Sequence, residues 1–192
     1  DATVYPVRPT RGVNRGYRDE YFRADGSSIV VQGAGTPTIY RGDRYPKAAQ
    51  GNAFITDSPT NLVHQFVVTD DGSGRLSAKN AYPRGEFFAS SDERCRPVNL
   101  SSAPDGTMYV GDRSGTLFRV NAGGRTSTFA TLPSSIAAFH LATGPDDTVY
   151  DSGPTLSASD AIYRERRRGE ITDHAGRIGR SQGLAGERQG KM

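Results

Sequence analysis

The feature that most constrains the fold is an internal repeat with a period of 41 residues. Leu100–Val110 reads LSSAPDGTMYV and Leu141–Asp151 reads LATGPDDTVYD, so leucine, proline, aspartate, threonine and tyrosine recur at a fixed offset. A third, partial copy begins at Leu184, and a looser copy at Gly51 matches Gly106 at an offset of 55 residues. Self-similarity at a period near 40 residues indicates an array of equivalent structural units.

Each copy is predicted to consist of short β-strands joined by turns. In the best-defined copy, strands are expected at 107–110, 116–120 and 126–130, with turns at Asp112–Gly115 and Asn121–Gly124. β-Branched and aromatic residues fill the strand positions, whereas glycine, asparagine and aspartate mark the turns. Three or four strands in a unit of about 40 residues are typical of a β-propeller blade, and the alternative is a β-sandwich with coincidental similarity.

Composition agrees with an all-β chain and excludes several other classes. Glycine and proline supply 23 and 11 of the 192 residues, which suits a chain rich in turns. No apolar run approaches the length of a membrane span, so no transmembrane segment is expected. The net charge is only +3, and the basic cluster Arg164–Arg168 is interpreted as a solvated loop, so no nucleic-acid partner is predicted. The single cysteine, Cys95, excludes an intramolecular disulfide.

The repeat predicts a single partial β-propeller domain over residues 1–192, with four-stranded blades. The expected blades are residues 36–95, 96–138 and 139–178, with partial blades at 1–35 and 179–192. That is about four blades, at the lower end of what closed propellers use. We therefore expect an incomplete or open ring, which missing chain segments or self-association through exposed strand edges would complete.

The first part of the chain, residues 1–112, resembles the sorbosone- and glucose-type sugar dehydrogenases that depend on pyrroloquinoline quinone. The resemblance rests on TVYPVRPT from Thr3, IYRGDRYP from Ile39 and RPVNL from Arg96. It implies oxidation of a sugar or aldose, with pyrroloquinoline quinone and Ca²⁺ as cofactors, and a periplasmic or secreted location. The haem-attachment motif that often accompanies this group needs two cysteines, so no haem is expected.

The second part, residues 103–192, resembles propellers of the NHL and gluconolactonase type. GTLFRV from Gly115 and GRSQGL from Gly179 carry this resemblance. It implies either a metal-dependent lactonase or a non-catalytic binding and scaffold propeller. The sequence therefore leaves three functions open: a quinone-dependent sugar dehydrogenase that is inactive without the rest of its ring, a lactonase, and a propeller that binds a partner.

The repeat also nominates candidate site residues, because equivalent positions on successive blades cluster near a propeller axis. Arg96 and Arg180 are equivalent in the repeat, and so are Asn99 and His140. Arginine binds carboxylates, asparagine offers a donor and an acceptor, and histidine acts as a general base. We predict Arg96, Asn99 and Arg180 as cofactor-binding residues and His140 as the catalytic residue, with a structural role as the alternative for His140.

Two aspartates at strand ends are candidate Ca²⁺ ligands. Asp57 and Asp112 match each other in the repeat, and carboxylate and carbonyl oxygens are the ligands that Ca²⁺ prefers. The alternative is an aspartate that caps the turn after its strand. The remaining histidines, His64 on a predicted strand and His174 in a polar turn, are interpreted as structural, and Cys95 as a partly buried thiol without a role.

Overall fold

The computed structural model describes residues 3–8, 18–133, 140–153, 159–166, 168–179 and 183–185. Within these ranges the chain is built from β-strands, with short 3-10 helices at Asp19–Tyr21, Lys47–Ala49 and Ser58–Thr60. These ranges hold no helix of the length and apolarity that a bilayer crossing requires. The strands form three antiparallel sheets in the described ranges, and these sheets are blades of a β-propeller.

The first sheet lies in a compact unit formed by the described parts of Asp1–Arg41 and Pro46–Pro97. Its strands follow the order β1-β2-β3-β4, and a short β5 pairs with β3. The bounds are β1 Ala34–Ile39, β2 Ala53–Asp57, β3 Leu62–Asp70, β4 Leu76–Asn80 and β5 Phe88–Ala89. Its core is aromatic: the rings of Tyr40 and Phe54 are both fully buried and meet edge to face with centroids 6.0 Å apart.

The second and third sheets, apart from Pro97, lie in another compact unit formed by Gly42–Tyr45 and the described parts of Val98–Met192. Each sheet has four strands in sequence order, β6-β7-β8-β9 and β10-β11-β12-β13. The bounds are β6 Pro97–Ser102, β7 Met108–Asp112, β8 Thr116–Val120, β9 Thr126–Thr131, β10 His140–Thr143, β11 Val149–Gly153, β12 Asp160–Glu165 and β13 Ile171–Ile178. Successive copies of the sequence repeat thus become successive blades.

The second strand of each blade in this unit is its most buried element. All five residues of β7 and all five of β11 are buried, whereas β9 and β13 at the outer edge are largely exposed. Neighbouring blades supply the cover. Side chains of the second sheet, including Tyr109 and Leu117, form one apolar cluster with side chains of the third, including Val149 and Tyr163. Full burial of a side chain such as Leu117 contributes about 1.5–3 kcal/mol.

The Pro-Asp motif forms the turn between the first and second strands of a blade. In the second sheet Gly106 donates its N–H to the carbonyl of Ala103 at 2.8 Å and adopts φ +79°. In the third sheet Asp147 takes the equivalent left-handed position with φ +60°, at a conformational cost that glycine avoids. Its carboxylate accepts the N–H of Asp105 at 2.9 Å, so this residue also ties one blade turn to the next.

Gly115, in the turn between β7 and β8, is a position where we expect substitution to be costly. Its φ is +97°, and a Cβ atom there would lie 2.6 Å from the carbonyl oxygen of Leu132. Gly124 has φ +79° in the same blade, but its Cβ would meet open space. Gly124→Ala should therefore lose about 1 kcal/mol through backbone strain, and Gly115→Ala clearly more, because the clash adds to the strain. Urea unfolding of the two variants measures the difference, and equal losses would contradict it.

Candidate functional site

Asn99 and His140 lie on the first strands of adjacent blades. Asn99 is on β6 and is buried, and His140 opens β10 and is half-buried. The hydroxyl of Thr143 donates to the carbonyl oxygen of Ser102 at 3.0 Å, which joins β10 to β6 directly. The structure therefore brings the strands of two sequence-predicted residues together, and we call Asn99 and His140 the first-strand pair.

Arg96 lies just before β6, with its guanidinium bound to the backbone. Its Nη1 donates to the carbonyl oxygens of Ser58 and Pro59 at 3.2 and 3.3 Å. These bonds anchor the 3-10 helix after β2 and use part of the donor capacity that a ligand carboxylate would need. Arg180, the equivalent residue in the repeat, lies outside the described residues.

Asp112 ends β7 with its carboxylate turned into the following turn. Its Oδ2 accepts the backbone N–H of Ser114 at 3.1 Å and also a bond from the Ser114 hydroxyl, and its carbonyl accepts the N–H of Gly115. This is the geometry of a turn-capping aspartate. Among the described residues, no three or more His, Cys, Asp or Glu side chains are grouped so that they could hold a metal ion.

Asp57, the equivalent residue at the end of β2, belongs to a buried ionic centre instead of a turn. Its Oδ1 accepts the N–H of Gly33 at 2.8 Å and its Oδ2 the N–H of Gln32 at 3.0 Å. The same Oδ2 lies 3.3 Å from Nε2 of His64, and Nδ1 of His64 lies 2.7 Å from Oε2 of Glu86. The side chains of His64, Asp57 and Glu86 are fully enclosed.

Glu86 was not predicted as a site residue, because no motif marks it and it lies 22 residues from His64 in a polar loop. In the structure its Oε1 accepts the N–H of Tyr5 at 2.7 Å and the side-chain amide of Asn80 at 3.2 Å. Both carboxyl oxygens are therefore bound, and the loop before β5 is fixed to β3 and β4. We name Asp57, His64 and Glu86 the histidine centre.

The histidine centre favours the charged imidazolium. Burial alone lowers the pKa of His64, but the hydrogen bonds to Asp57 and Glu86, together with their negative charges, outweigh it and raise the pKa to about 9. Both ring nitrogens can then donate to a carboxylate. A charged, saturated and enclosed histidine has no free atom for a substrate, so its chemistry is that of a structural ion pair.

A second buried ionisable group, unlike the first, lacks partners in the described part of the chain. Asp151 on β11 and Glu165 on β12 are both fully buried, and none of their four carboxyl oxygens has a hydrogen-bond partner among the described residues. Their strands are paired through Val149–Glu165 and Asp151–Tyr163, so the two carboxyls lie diagonally on one face. We name Asp151 and Glu165 the carboxyl pair.

The register shows that the carboxyl pair occupies two apolar core positions. In the second sheet, Val110 stands at the position of Asp151, and Val120, paired with Met108, stands at the position of Glu165. Both valines are fully buried. Burial raises the pKa of Glu165 to about 8, and burial and the charge of Glu165 raise the pKa of Asp151 well above its ordinary value. Burial therefore favours the protonated form of both side chains.

The polar atoms of Arg96, Asp57 and Asp112 are thus bound to other parts of the protein. This leaves few free donors and acceptors for a quinone carboxylate or a Ca²⁺ ion at those three residues. Pyrroloquinoline quinone and Ca²⁺ stay predictions of the sequence resemblance, and the chemistry that follows uses the chain's own residues.

Comparison with known families gives one sequence match. The sequence model of the family described as "Domain of unknown function (DUF7133)" matches residues 1–115, more than half of the chain. A search of the curated proteins finds no match.

Comparison with solved structures identifies several propellers. A catalytically inactive virginiamycin B lyase from Staphylococcus aureus with quinupristin has a TM-score of 0.55 and 16% identity, over 86% of this chain and 52% of that one. Selenomethionine-substituted virginiamycin B lyase from the same organism has a TM-score of 0.54 and 14% identity, over 88% and 53%. Regucalcin, a calcium-binding protein from Agrobacterium tumefaciens, has a TM-score of 0.42 and 17% identity, over 76% of this chain and 47% of that one.

This chain spans about half the length of the solved structures that it matches. At such identities the likeness shows the fold alone. The β-propeller architecture expected from the repeat is confirmed. The narrower choice between the sugar-dehydrogenase and gluconolactonase types stays a prediction.

Replacing His64 is expected to destabilise the first unit. His64→Leu would leave Asp57 and Glu86 as buried carboxylates without a positive partner, and removal of one partner from a buried ion pair costs about 3–5 kcal/mol. Urea unfolding near pH 6 should show a loss of that order. His174→Leu is the matched control, because His174 is exposed on β13 and should change stability little.

The contribution of His64 also depends on pH. Its folded pKa of about 9 exceeds its ordinary 6.5, so the stabilisation is complete below pH 6.5 and is lost as pH rises through about 9. The stability difference between wild type and His64→Leu should therefore shrink over that window. A difference that is constant with pH would show that His64 is not charged in the folded protein.

Restoring the apolar positions of the carboxyl pair is expected to stabilise the second unit. The folded pKa of Glu165, about 8, exceeds its ordinary 4.5, so the wild type loses stability as pH rises from 4.5 to 8. Asp151→Val with Glu165→Val, which copies the preceding blade, should remove that slope and gain on the order of 3 kcal/mol at neutral pH.

The matched control for this change is Glu170→Val with Asp173→Val, since both carboxylates are exposed on the same blade. The control should leave the pH dependence as it is in the wild type. Unfolding by urea at several pH values tests both variants. An unchanged slope in the variant of the carboxyl pair would contradict the assignment.

Proposed function

We propose that this chain, which belongs to the family described as domain of unknown function DUF7133, contributes blades to a propeller that binds a sugar-like small molecule through the first-strand pair. The observation that carries the proposal is the bond from Thr143 to Ser102, which sets β10 against β6. Asn99 and His140 are at equivalent positions of these adjacent first strands, in one compact unit, and this supports the proposal.

The chemistry of the first-strand pair suits a ligand with hydroxyl or lactone oxygens. The side-chain amide of Asn99 offers a donor and an acceptor, and the imidazole of His140 offers two ring nitrogens for hydrogen bonds. His140 is half-buried, so one side of its ring reaches solvent, in contrast to the enclosed His64. Binding sites of this kind fix orientation with a few placed polar groups.

Catalysis is a second candidate function, carried by the accessibility of His140. As a general base His140 would remove a proton from a sugar hydroxyl, or from the water that attacks a lactone. Sugar oxidation also needs a hydride acceptor, the role that the resemblance gives to pyrroloquinoline quinone, and the same resemblance implies that Arg96 binds a cofactor carboxylate. We place binding first, because Arg96 is tied to Ser58 and Pro59. A periplasmic or secreted location is part of the same proposal.

The experiment is a calorimetric titration of the chain with glucose and with gluconolactone, followed by activity assays on the same sample. We expect binding that weakens about tenfold or more in Asn99→Ala and in His140→Ala, which is the effect of losing at least 1.4 kcal/mol of contact energy. His174→Ala is the control and should bind as the wild type does. Absence of binding of either compound by a folded sample would overturn the proposal.

The activity assays separate binding from the two enzymatic alternatives. One assay measures dye reduction with glucose after loading with pyrroloquinoline quinone and Ca²⁺. If dye is reduced, and this activity is lost in His140→Ala, the chain is a dehydrogenase and not a binding protein alone. Hydrolysis of gluconolactone that depends on His140 and on an added divalent metal would replace the binding function by a lactonase. Binding without either turnover supports the proposal as stated.

A further inference from the structure

A polar cavity of about 430 Å³ lies on the second sheet, at the end where β7 begins and β8 ends. It is separate from the first-strand pair and from the residues that the repeat nominated. Its walls carry cationic guanidinium groups and neutral hydroxyl and amide groups. The lining residues are Arg44, Thr107, Arg119, Asn121, Arg125 and Ser127.

The backbone of this cavity is held in place by local hydrogen bonds. Arg119 pairs with Ser127 across β8 and β9, so their side chains share one face of the sheet. The side-chain oxygen of Asn121 accepts the N–H of Arg125 at 2.9 Å, and the N–H of Asn121 donates to the carbonyl of Arg125 at 3.0 Å. Two hydrogen bonds between Asn121 and Arg125 therefore hold this turn.

Arg44 reaches the cavity from the segment Gly42–Tyr45, which belongs to the same unit. The hydroxyl of Tyr45 donates to the carbonyl of Val120 at 2.6 Å, and Nη1 of Arg44 donates to Oδ2 of Asp105 at 2.8 Å. Oδ1 of Asp105 in turn accepts the N–H of Thr107 at 2.8 Å. Arg44 is thus fixed at the cavity wall through a carboxylate that is itself fixed.

The cavity carries an excess of positive charge. Asp105 compensates Arg44, but neither Arg119 nor Arg125 forms an ion pair with any residue in the described ranges. Like charges that converge on one recess repel one another and raise the local concentration of anions. A bound anion would relieve this repulsion, and arginine binds phosphate oxygens in a bidentate manner.

The third sheet contains the equivalent cavity, in which the lining residues that the structure describes carry no excess of charge. That cavity measures about 380 Å³ and is lined by Asp146, Thr148, Arg166, Arg168 and Glu170. The bond from Arg166 N–H to the Glu170 carbonyl repeats the turn of the second sheet, so Glu170 stands where the second sheet has Arg125. Here two carboxylates balance two arginines. The positive cavity is therefore a property of one blade and not a requirement of the blade fold.

We propose that the cavity of the second sheet binds a phosphomonoester. Arg119 and Arg125, which form no ion pair with a described residue, supply the two charges that match a phosphate dianion, and the hydroxyls of Thr107 and Ser127 supply neutral donors. A volume of about 430 Å³ exceeds what the phosphate group alone would fill and leaves room for an organic group the size of a sugar ring.

The test is calorimetric titration of the whole chain with inorganic phosphate, glucose 6-phosphate and glucose. Inorganic phosphate and glucose 6-phosphate should compete for one site, and their binding should weaken as sodium chloride is added. Arg119→Gln with Arg125→Gln should weaken both by about a hundredfold, or about tenfold for each lost charge-assisted contact. Glucose should not displace inorganic phosphate.

Arg166→Gln with Arg168→Gln is the matched control, because it removes the same charge from the equivalent, balanced cavity. It should bind phosphate as the wild type does. An equal loss of phosphate affinity in both double variants would show that only net charge matters and would overturn the proposed site. Absence of phosphate binding by the folded wild type would also overturn it. His140→Ala, which disrupts the first-strand pair, should leave phosphate binding intact, so the two proposals fail independently.

Discussion

The burial of the second strand of a blade, complete in β7 and β11 and partial in β2, is the constraint on which the rest of the structure depends. β7 and β11 are buried along their whole length, because the first and third strands flank them and neighbouring blades in the unit cover them. Any ionisable side chain that enters this layer must be paired, hydrogen-bonded or neutralised. Solvated polar groups are left to the outer strands and to the turns, where the exposed residues of β9 and β13 lie.

The three described sheets meet this constraint in different ways at equivalent positions. The cross-strand pair is Val110 with Phe118 in the second sheet, and packing alone satisfies it. In the first sheet it is Ile55 with His64, and the imidazolium gains two carboxylates. In the third it is Asp151 with Tyr163, and burial raises the pKa of the Asp151 carboxyl, which favours its protonated form.

These solutions have different energetic costs. The ion pairs of the histidine centre recover part of the desolvation free energy of three buried charges, because every carboxylate oxygen there also accepts an N–H. The carboxyl pair recovers little, since its oxygens have no partner in the described part of the chain. Both groups make the folded protein less stable as pH rises, the first by loss of a proton from a cation and the second by formation of buried anions.

The architecture could be predicted from the sequence because the repeat consists of residues that favour turns or strands. These preferences depend on the local sequence. The turn at Asp112–Gly115 and the strands around 107–110 and 116–120 are confirmed. The first strands β6 and β10 were absent from the predicted strand pattern, since four to six residues without alternation resemble a loop. The second carboxylate partner of His64 could not be predicted, because Glu86 lies in a polar loop and is brought to His64 by the pairing of β3 with β5.

The burial of the second strands also determines at which positions of the repeat the side-chain charge can change. An aspartate in place of a core valine, as at Asp151, has a desolvation cost. Such a change is tolerated only where the carboxyl stays protonated or gains a polar partner. Arg125 and Glu170 stand at equivalent positions at the rim of a cavity, and the backbone bond from Asn121 N–H to the Arg125 carbonyl recurs between Arg166 and Glu170. The same backbone pairing therefore accepts either charge at this position. In this unit the blade turns can therefore differ in the ligands they attract while the second strands continue to hold the sheets together.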